Sequence, residues 1–237
     1  MSQFRLHRQR YQSLRFRRRQ ELALIGLVAL AQKSLMTPNY QSKSFLQLVA
    51  VVLVVYIAPI VLMLVDIIPS EFKYHVLIGM SALLLLYGMV NGASLSSFGF
   101  TRRNLKPALT RVVPVSVLVA VVILALYFLR LFRSDSPSAH WSFYIFYIFV
   151  SASLQEFVYR GFLFHLLKKA HVSKVWTIVV SSALYGFMHI IFDIPAVFFT
   201  FLIGLFWGWA YEKDRNIYGV MISHSILGSL SLLANFS

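Results

Sequence analysis

The sequence predicts an all-α fold, a polytopic transmembrane helix bundle of about seven spans plus an N-terminal interfacial helix. Three observations carry this prediction. The 237 residues are 59% hydrophobic and 13% charged, with a mean hydropathy of +0.73; a soluble domain of this length carries roughly a quarter charged residues. The apolar residues come in long blocks rather than at helical or strand periodicity, so lipid is their surroundings. The Lys and Arg residues fall between those blocks and at the N-terminus, the distribution that orients a chain in a bilayer.

The elements follow in chain order. Residues 1–36 read as a basic cytoplasmic arm and interfacial helix, and 37–237 as the transmembrane domain. The opening "MSQFRLHRQRYQSLRFRRRQ" holds seven Arg and no acidic residue. Ala29-Leu30-Ala31 resembles a signal-peptidase site, but cleavage there would invert every later loop against the charge count. An organellar transit peptide is a further reading of the same Arg-rich arm. Residues 22–36, interrupted by Gln32 and Lys33, are short for a span and read as a helix lying on the membrane surface. An eighth span hidden there is the rival topology, and it would move only the N-terminus.

Seven blocks then reach, or nearly reach, across a hydrocarbon core: 45–68, 75–94, 112–129, 141–167, 175–192, 195–211 and 217–235. At about 1.5 Å per residue most of them match a core of roughly 30 Å. Helix is required because lipid offers backbone groups no partner, and neighbouring helices can serve the groups that Pro59, Pro114 and Pro195 free. With the N-terminus inside, the cytoplasmic connections hold Arg102, Arg103, Lys106 and Arg111, then Lys168, Lys169 and Lys174, then Lys213 and Arg215; the outer ones hold Lys73, Arg130 and Arg133. That places the chain as a multi-pass protein of a cell membrane, with a bacterial inner membrane suggested by its size and basic arm. The net charge of +14 is thereby assigned to anionic lipid, and no nucleic-acid partner is expected. The absence of Cys excludes disulfides, thiol nucleophiles and thiolate metal sites.

Of eight acidic residues, Glu156 alone is mid-span. With it come Gln155 and Arg160 in the fourth block, His189 in the fifth and His224 in the seventh. An ionisable group at that depth costs several kcal/mol unless paired or solvated, so it marks a site by default. Glu156 and Arg160 stand one turn apart, which suits a self-neutralising pair; the two histidines have no such local explanation. Carboxylate and imidazole around one water can act as general base and acid, with the second imidazole at the oxyanion. Alternatively, a divalent metal at Glu156, His189 and His224 would lower the pKa of bound water, although no H-E-x-x-H spacing supports it. Serine chemistry is weaker still: Ser225 follows His224 without a visible base and orienter. A small transporter or channel lacks the discontinuous-helix pair or inverted repeat it would need. Counted from the inner helix ends, Glu156 lies about 16 Å deep, His189 about 21 Å and His224 about 10 Å, a wide spread for one site.

The segments "QEFVYRG" (155–161), "YGFMH" (185–189) and "GLFWGWAYEKDRNIYGVMISHSILG" (204–228) resemble the membrane-embedded CAAX-protease and bacteriocin-processing family (CPBP, or Abi). That family carries Glu-Glu-x-x-x-Arg, then aromatic-x-x-x-His, then His-x-x-x-Asn, on separate transmembrane helices. The likeness covers about 140–235, and "SFGFTRRNL" at 97–105 looks like the short basic stretch preceding the family's core. It implies a helical bundle with a cavity open to the cytosol, and endoproteolysis of membrane-associated proteins or peptides, including CAAX tails; bacterial members are linked to bacteriocin maturation and self-immunity. By resemblance the catalytic set is Glu156, His189 and His224, with Arg160 and Gln155. Two positions depart from the pattern. The family's water-activating Glu is Gln155 here, and its oxyanion Asn is Gly228. Either Glu156 takes over as base with His189, or the scaffold persists without the reaction as an immunity or regulatory protein. Asp193, four residues after His189, reads either as its orienting carboxylate or as a plain helix-end group.

Overall fold

The computed structural model describes residues 40–129 and 140–234, with side chains from 45 onward. The predicted basic arm, the interfacial helix, the signal-peptidase-like site and Arg130, Arg133 and Asp135 lie outside the described residues. The chain divides into two units, Met1–Phe45 and Leu46–Ser237. Of the first, the described part is the helical stretch 40–45; everything below concerns the second.

Among the described residues all regular structure is helical. The helices are α1 (46–64), α2 (Lys73–Val90), α3 (Leu105–Phe128), α4 (141–169), α5 (Lys174–Met188), α6 (Ile194–Asp214) and α7 (Ile217–Leu233), with short 3₁₀ turns at Ser70–Phe72, Leu95–Phe98 and His189–Ile191. A helix therefore lies on each predicted block. Five stretches are long and apolar enough to cross a membrane: Phe45–Leu64, Ser70–Val90, Leu105–Phe128, Lys174–Ile191 and Ile194–Asp214. α7 is apolar but has 17 residues, and α4 is diluted by Gln155, Glu156 and Arg160 at its centre. Among the described residues these five helices are consistent with a polytopic membrane bundle.

Large apolar side chains stand exposed around the bundle, among them Leu83, Val90, Leu118, Phe128 and Phe149. A monomeric soluble protein does not display so much contiguous apolar surface; a bilayer accounts for it. Predicted boundaries moved by a few residues. α3 starts at Leu105 rather than 112 because Lys106 and Pro107 fit its first turn, where Pro is tolerated. α1 stops at Leu64, and Asp66 turns the chain with φ 56°.

α4 is not a regular α-helix. π-helical turns at Tyr147–Ser151 and Phe157–Phe162 bracket the α-helical stretch Ala152–Glu156, and α1 carries another at Val52–Ile57. Such turns draw carbonyls out of the usual ladder and occur often at functional sites. Neighbouring helices supply donors here. Tyr56 donates to the Val158 carbonyl at 2.8 Å, Ser181 to that of Tyr159 at 2.8 Å and Ser225 to that of Ile148 at 2.9 Å. In a lipid-surrounded bundle these bonds fix α4 between α1, α5 and α7.

α5 and α6 form a packed hairpin, α7 lies along α3 and touches the central α4, and α6 touches α3 and, through Arg160 and Phe164, α4. Small residues set these approaches: a Cβ on Gly186 would stand 3.0 Å from the Val197 carbonyl, and one on Gly161 3.1 Å from that of Phe98. One end of the bundle is tied by a polar knot. Arg111 grips the buried Asp214 with two bonds, Nε to Oδ2 at 2.7 Å and Nη2 to Oδ1 at 3.1 Å. Asn216 caps α7 through its oxygen while its Nδ2 donates to the carbonyls of Thr101 (2.6 Å) and Arg103 (2.9 Å). Ile217 N–H donates to Gly99 O at 3.0 Å. Gly99, at φ +88°, needs a left-handed backbone that other residues adopt at a cost. The basic stretch "SFGFTRRNL" is thus stitched to the α6–α7 junction.

Candidate active site

Glu156 sits in the short α-helical stretch between the two π turns of α4, and it is fully buried, as are Arg160 and His224: 0%, 0% and 1% exposed. Arg160 Nη1 donates to Glu156 Oε1 at 3.1 Å, and His224 Nδ1 lies 2.8 Å from the same oxygen. One carboxylate oxygen on α4 therefore joins a guanidinium one turn on and an imidazole from α7. The depth count had set Glu156 and His224 several ångströms apart; the structure brings them into contact. Arg160 also reaches the Gly204 carbonyl of α6 at 3.4 Å, and its guanidinium stacks over the rings of Tyr185 (4.4 Å) and Trp207 (5.5 Å). Buried Arg prefers such planar partners because its charge is delocalised and weakly hydrated. Glu156 Oε2 and Arg160 Nε have no partner among the described residues.

The second edge of His224 faces tyrosines. Tyr147 of α4 and Tyr185 of α5 each place a hydroxyl 3.2 Å from His224 Nε2. Trp207 stacks on the imidazole, with ring centroids 4.7 Å apart and planes at 23°, and is itself held by Nε1 donating to Ser223 Oγ at 2.8 Å. With Nδ1 donating to the carboxylate oxygen, a neutral ring would have one lone pair on Nε2 for two hydroxyls. One tyrosine can donate to it fully; the other keeps its hydrogen for something else.

His189 lies just past α5, in the 3₁₀ turn. Its Nδ1 is 2.8 Å from the Tyr185 carbonyl. A carbonyl only accepts, so the proton is on Nδ1 and the neutral ring has its lone pair on Nε2. His189, His224 and Gln155 all line one cavity of about 720 Å³, together with Tyr147 and Tyr185; Glu156 does not line it. Gln155 donates through Nε2 to Ser151 Oγ at 3.0 Å, and its Oε1 has no partner among the described residues. Of the predicted residues, Gln155, His189 and His224 line the cavity, while Glu156 and Arg160 do not, Glu156 being bonded to His224 Nδ1.

One expectation needs correction. A metal at Glu156, His189 and His224 is ruled against by the donors themselves. Among the described residues no group of three or more His, Cys, Asp or Glu side chains is placed to hold one; the bonded Glu156 oxygen is occupied by Arg160 and His224, and both Nδ1 atoms are already engaged. Of the two readings of Asp193, the helix-end group is the one the structure shows. Its Oδ1 accepts from Ala196 N–H at 2.6 Å, capping α6, whose first turn contains Pro195. "DIP" is a helix-start signature, and that signal was legible in the sequence.

Tyr147 was missed as a site residue. Its signal is Gly228: a Cβ there would run into the Tyr147 hydroxyl, so the tyrosine occupies the space that a side chain at 228 would need. Gly228→Asn is expected to destabilise the bundle by about 1–3 kcal/mol through overpacking, and Tyr147→Ala in the same chain should recover most of the loss. Thermal unfolding in detergent checks both.

The fold and the site define a polytopic helical membrane protein with a buried Glu–His pair behind a cavity. Residues 137–230 match the family model described as Rce1-like, Type II CAAX prenyl endopeptidase Rce1-like. Over that part of its length the chain is similar to CAAX-protease-family domains, a group that includes the CPBP proteins. No curated protein and no solved structure matches it.

Proposed function

We propose that the protein is an intramembrane endopeptidase of the CPBP type, hydrolysing a peptide bond in a membrane-associated protein or peptide by water activated without a metal. The observation that carries this reading is that both imidazoles line the same cavity as Gln155, inside the matched domain. His189 Nε2 takes a proton from the water, and Gln155 Oε1 accepts the water's other hydrogen and orients it. The resulting hydroxide attacks the carbonyl carbon. The tyrosine hydroxyl not committed to His224 donates to the developing oxyanion. The proton on His189 then passes to the leaving amine, restoring the neutral ring. Glu156 acts through His224, fixing its tautomer and ring plane as a buried carboxylate does behind a histidine.

A second reading is favoured by the same Gln155. Its amide takes no proton, so a non-catalytic member binding a membrane partner in this cavity, as an immunity or regulatory scaffold, would also use the site. The test is turnover of membrane-anchored peptides by the purified protein in liposomes. Under the first reading His189→Ala lowers kcat by about 10²–10⁴, the usual contribution of a general base, with the fold intact. Absence of cleavage with any peptide, while a partner still binds both proteins, supports the scaffold. Glu156→Ala is the poorer probe, because it also strands a buried guanidinium.

A further inference from the structure

The cavity is built from one end of every helix. α1 contributes its second half, α2 its first turns from Lys73, α3 its last turns near Leu126, and α4 its first half. α5 adds the turn around His189, α6 its first two-thirds, and α7 its second half as far as Ser231 and Leu232. At these ends lie connections 65–72 and 189–193, with Leu129 and His140 closing the described parts of α3 and α4. The opposite ends meet at 91–104, 170–173 and 215–216, where the polar knot of Arg111, Asp214 and Asn216 closes the bundle.

The basic residues divide along the same line. Arg102, Arg103, Lys106, Arg111, Lys168, Lys169, Lys174, Lys213 and Arg215 all belong to the knotted end. Among the described residues Lys73 is the one Lys or Arg at the cavity end, its Nζ lying over the Phe192 ring at 4.5 Å. Lys and Arg in short loops stay on the cytoplasmic side because moving them across the membrane is costly.

We infer that the cavity holding His189 and His224 opens on the non-cytoplasmic face of the membrane. This is opposite to the cytosolic opening that the family resemblance implies. What reaches the imidazoles is then a polypeptide segment presented from the outer leaflet or the space beyond it, such as an exported or membrane-anchored peptide, rather than the tail of a cytosolic protein. That the entrant is a peptide rests on the proposed function; the side of entry does not.

The chain has no cysteine, so single cysteines can be placed without altering any native thiol. Four variants suffice: Glu71→Cys at the cavity end, Ser231→Cys on the cavity wall, and Arg102→Cys and Lys213→Cys at the knotted end. Each is exposed to a membrane-impermeant maleimide in intact bacterial spheroplasts and in inverted vesicles. The expected result is labelling of Glu71→Cys and Ser231→Cys in spheroplasts, with Arg102→Cys and Lys213→Cys labelled in inverted vesicles alone. The reverse pattern would overturn the inference. So would Ser231→Cys reacting from the same side as Arg102→Cys, or remaining shielded from both. Labelling requires no turnover, so a protein that cleaves nothing still gives the answer, and loss of the hydrolase reading stays distinguishable from loss of this one.

Discussion

Replacing Glu156 with Ala will lower stability by about 3–5 kcal/mol, the range for removing one partner of a buried ion pair. Arg160 would remain at 0% exposure with a long bond to the Gly204 carbonyl and two aromatic faces, none of which carries a formal negative charge. His224 would lose the acceptor that fixes its Nδ1 proton. Glu156→Gln should fall between the wild type and Ala, since an amide oxygen can accept from either donor but brings no charge. A double variant, Glu156→Leu with Arg160→Met, should recover much of the loss, because two apolar side chains carry no desolvation penalty. Unfolding in mild detergent measures the series. A Glu156→Ala protein as stable as wild type would show that the pair does not neutralise a buried charge.

The second large effect concerns the position beside it. Gln155→Glu should raise the rate of peptide cleavage by about 10², the lower end of what a positioned general base contributes. Gln155 already lines the cavity, and Ser151 Oγ, 3.0 Å from its amide nitrogen, can donate to a carboxylate in that place. The new carboxylate would share the water with His189 Nε2, whereas Glu156 stands behind His224. Single-turnover kinetics with a membrane-anchored peptide separates this gain from any change in binding. If the variant cleaves and the wild type does not, the native chain has lost the hydrolytic step. If neither cleaves, the scaffold reading stands.

The helices were legible because lipid imposes a simple rule: blocks of apolar residues must be helical, and each predicted block carries one. Glu156 was legible for the same reason turned round, as a carboxylate where none is tolerated unpaired. Its contact with His224 was not. The depth count assumed straight, regular helices measured from estimated ends, whereas α4 contains two π turns around Glu156, and the hydropathy pattern does not mark such turns. Tyr147 and Trp207 were invisible for a different cause. Aromatic residues are abundant in every span, and what distinguishes these two is a bond or a stack to His224, a property of the assembled bundle. Asp193 carried two readings, and the local one, a helix-end group, is the one its cap on Ala196 N–H supports.

The knot around Asp214 has a mechanical consequence. Helices fastened at their base, and without a comparable charged knot at the rim among the described residues, behave as levers with a common fulcrum. Over a helix of about 30 Å, a tilt of about 5° displaces the far tip by about 2.6 Å, close to the width of a water molecule. Small changes in lateral pressure or bilayer thickness would therefore be magnified where the imidazoles sit, and the lipid itself becomes a throttle on admission.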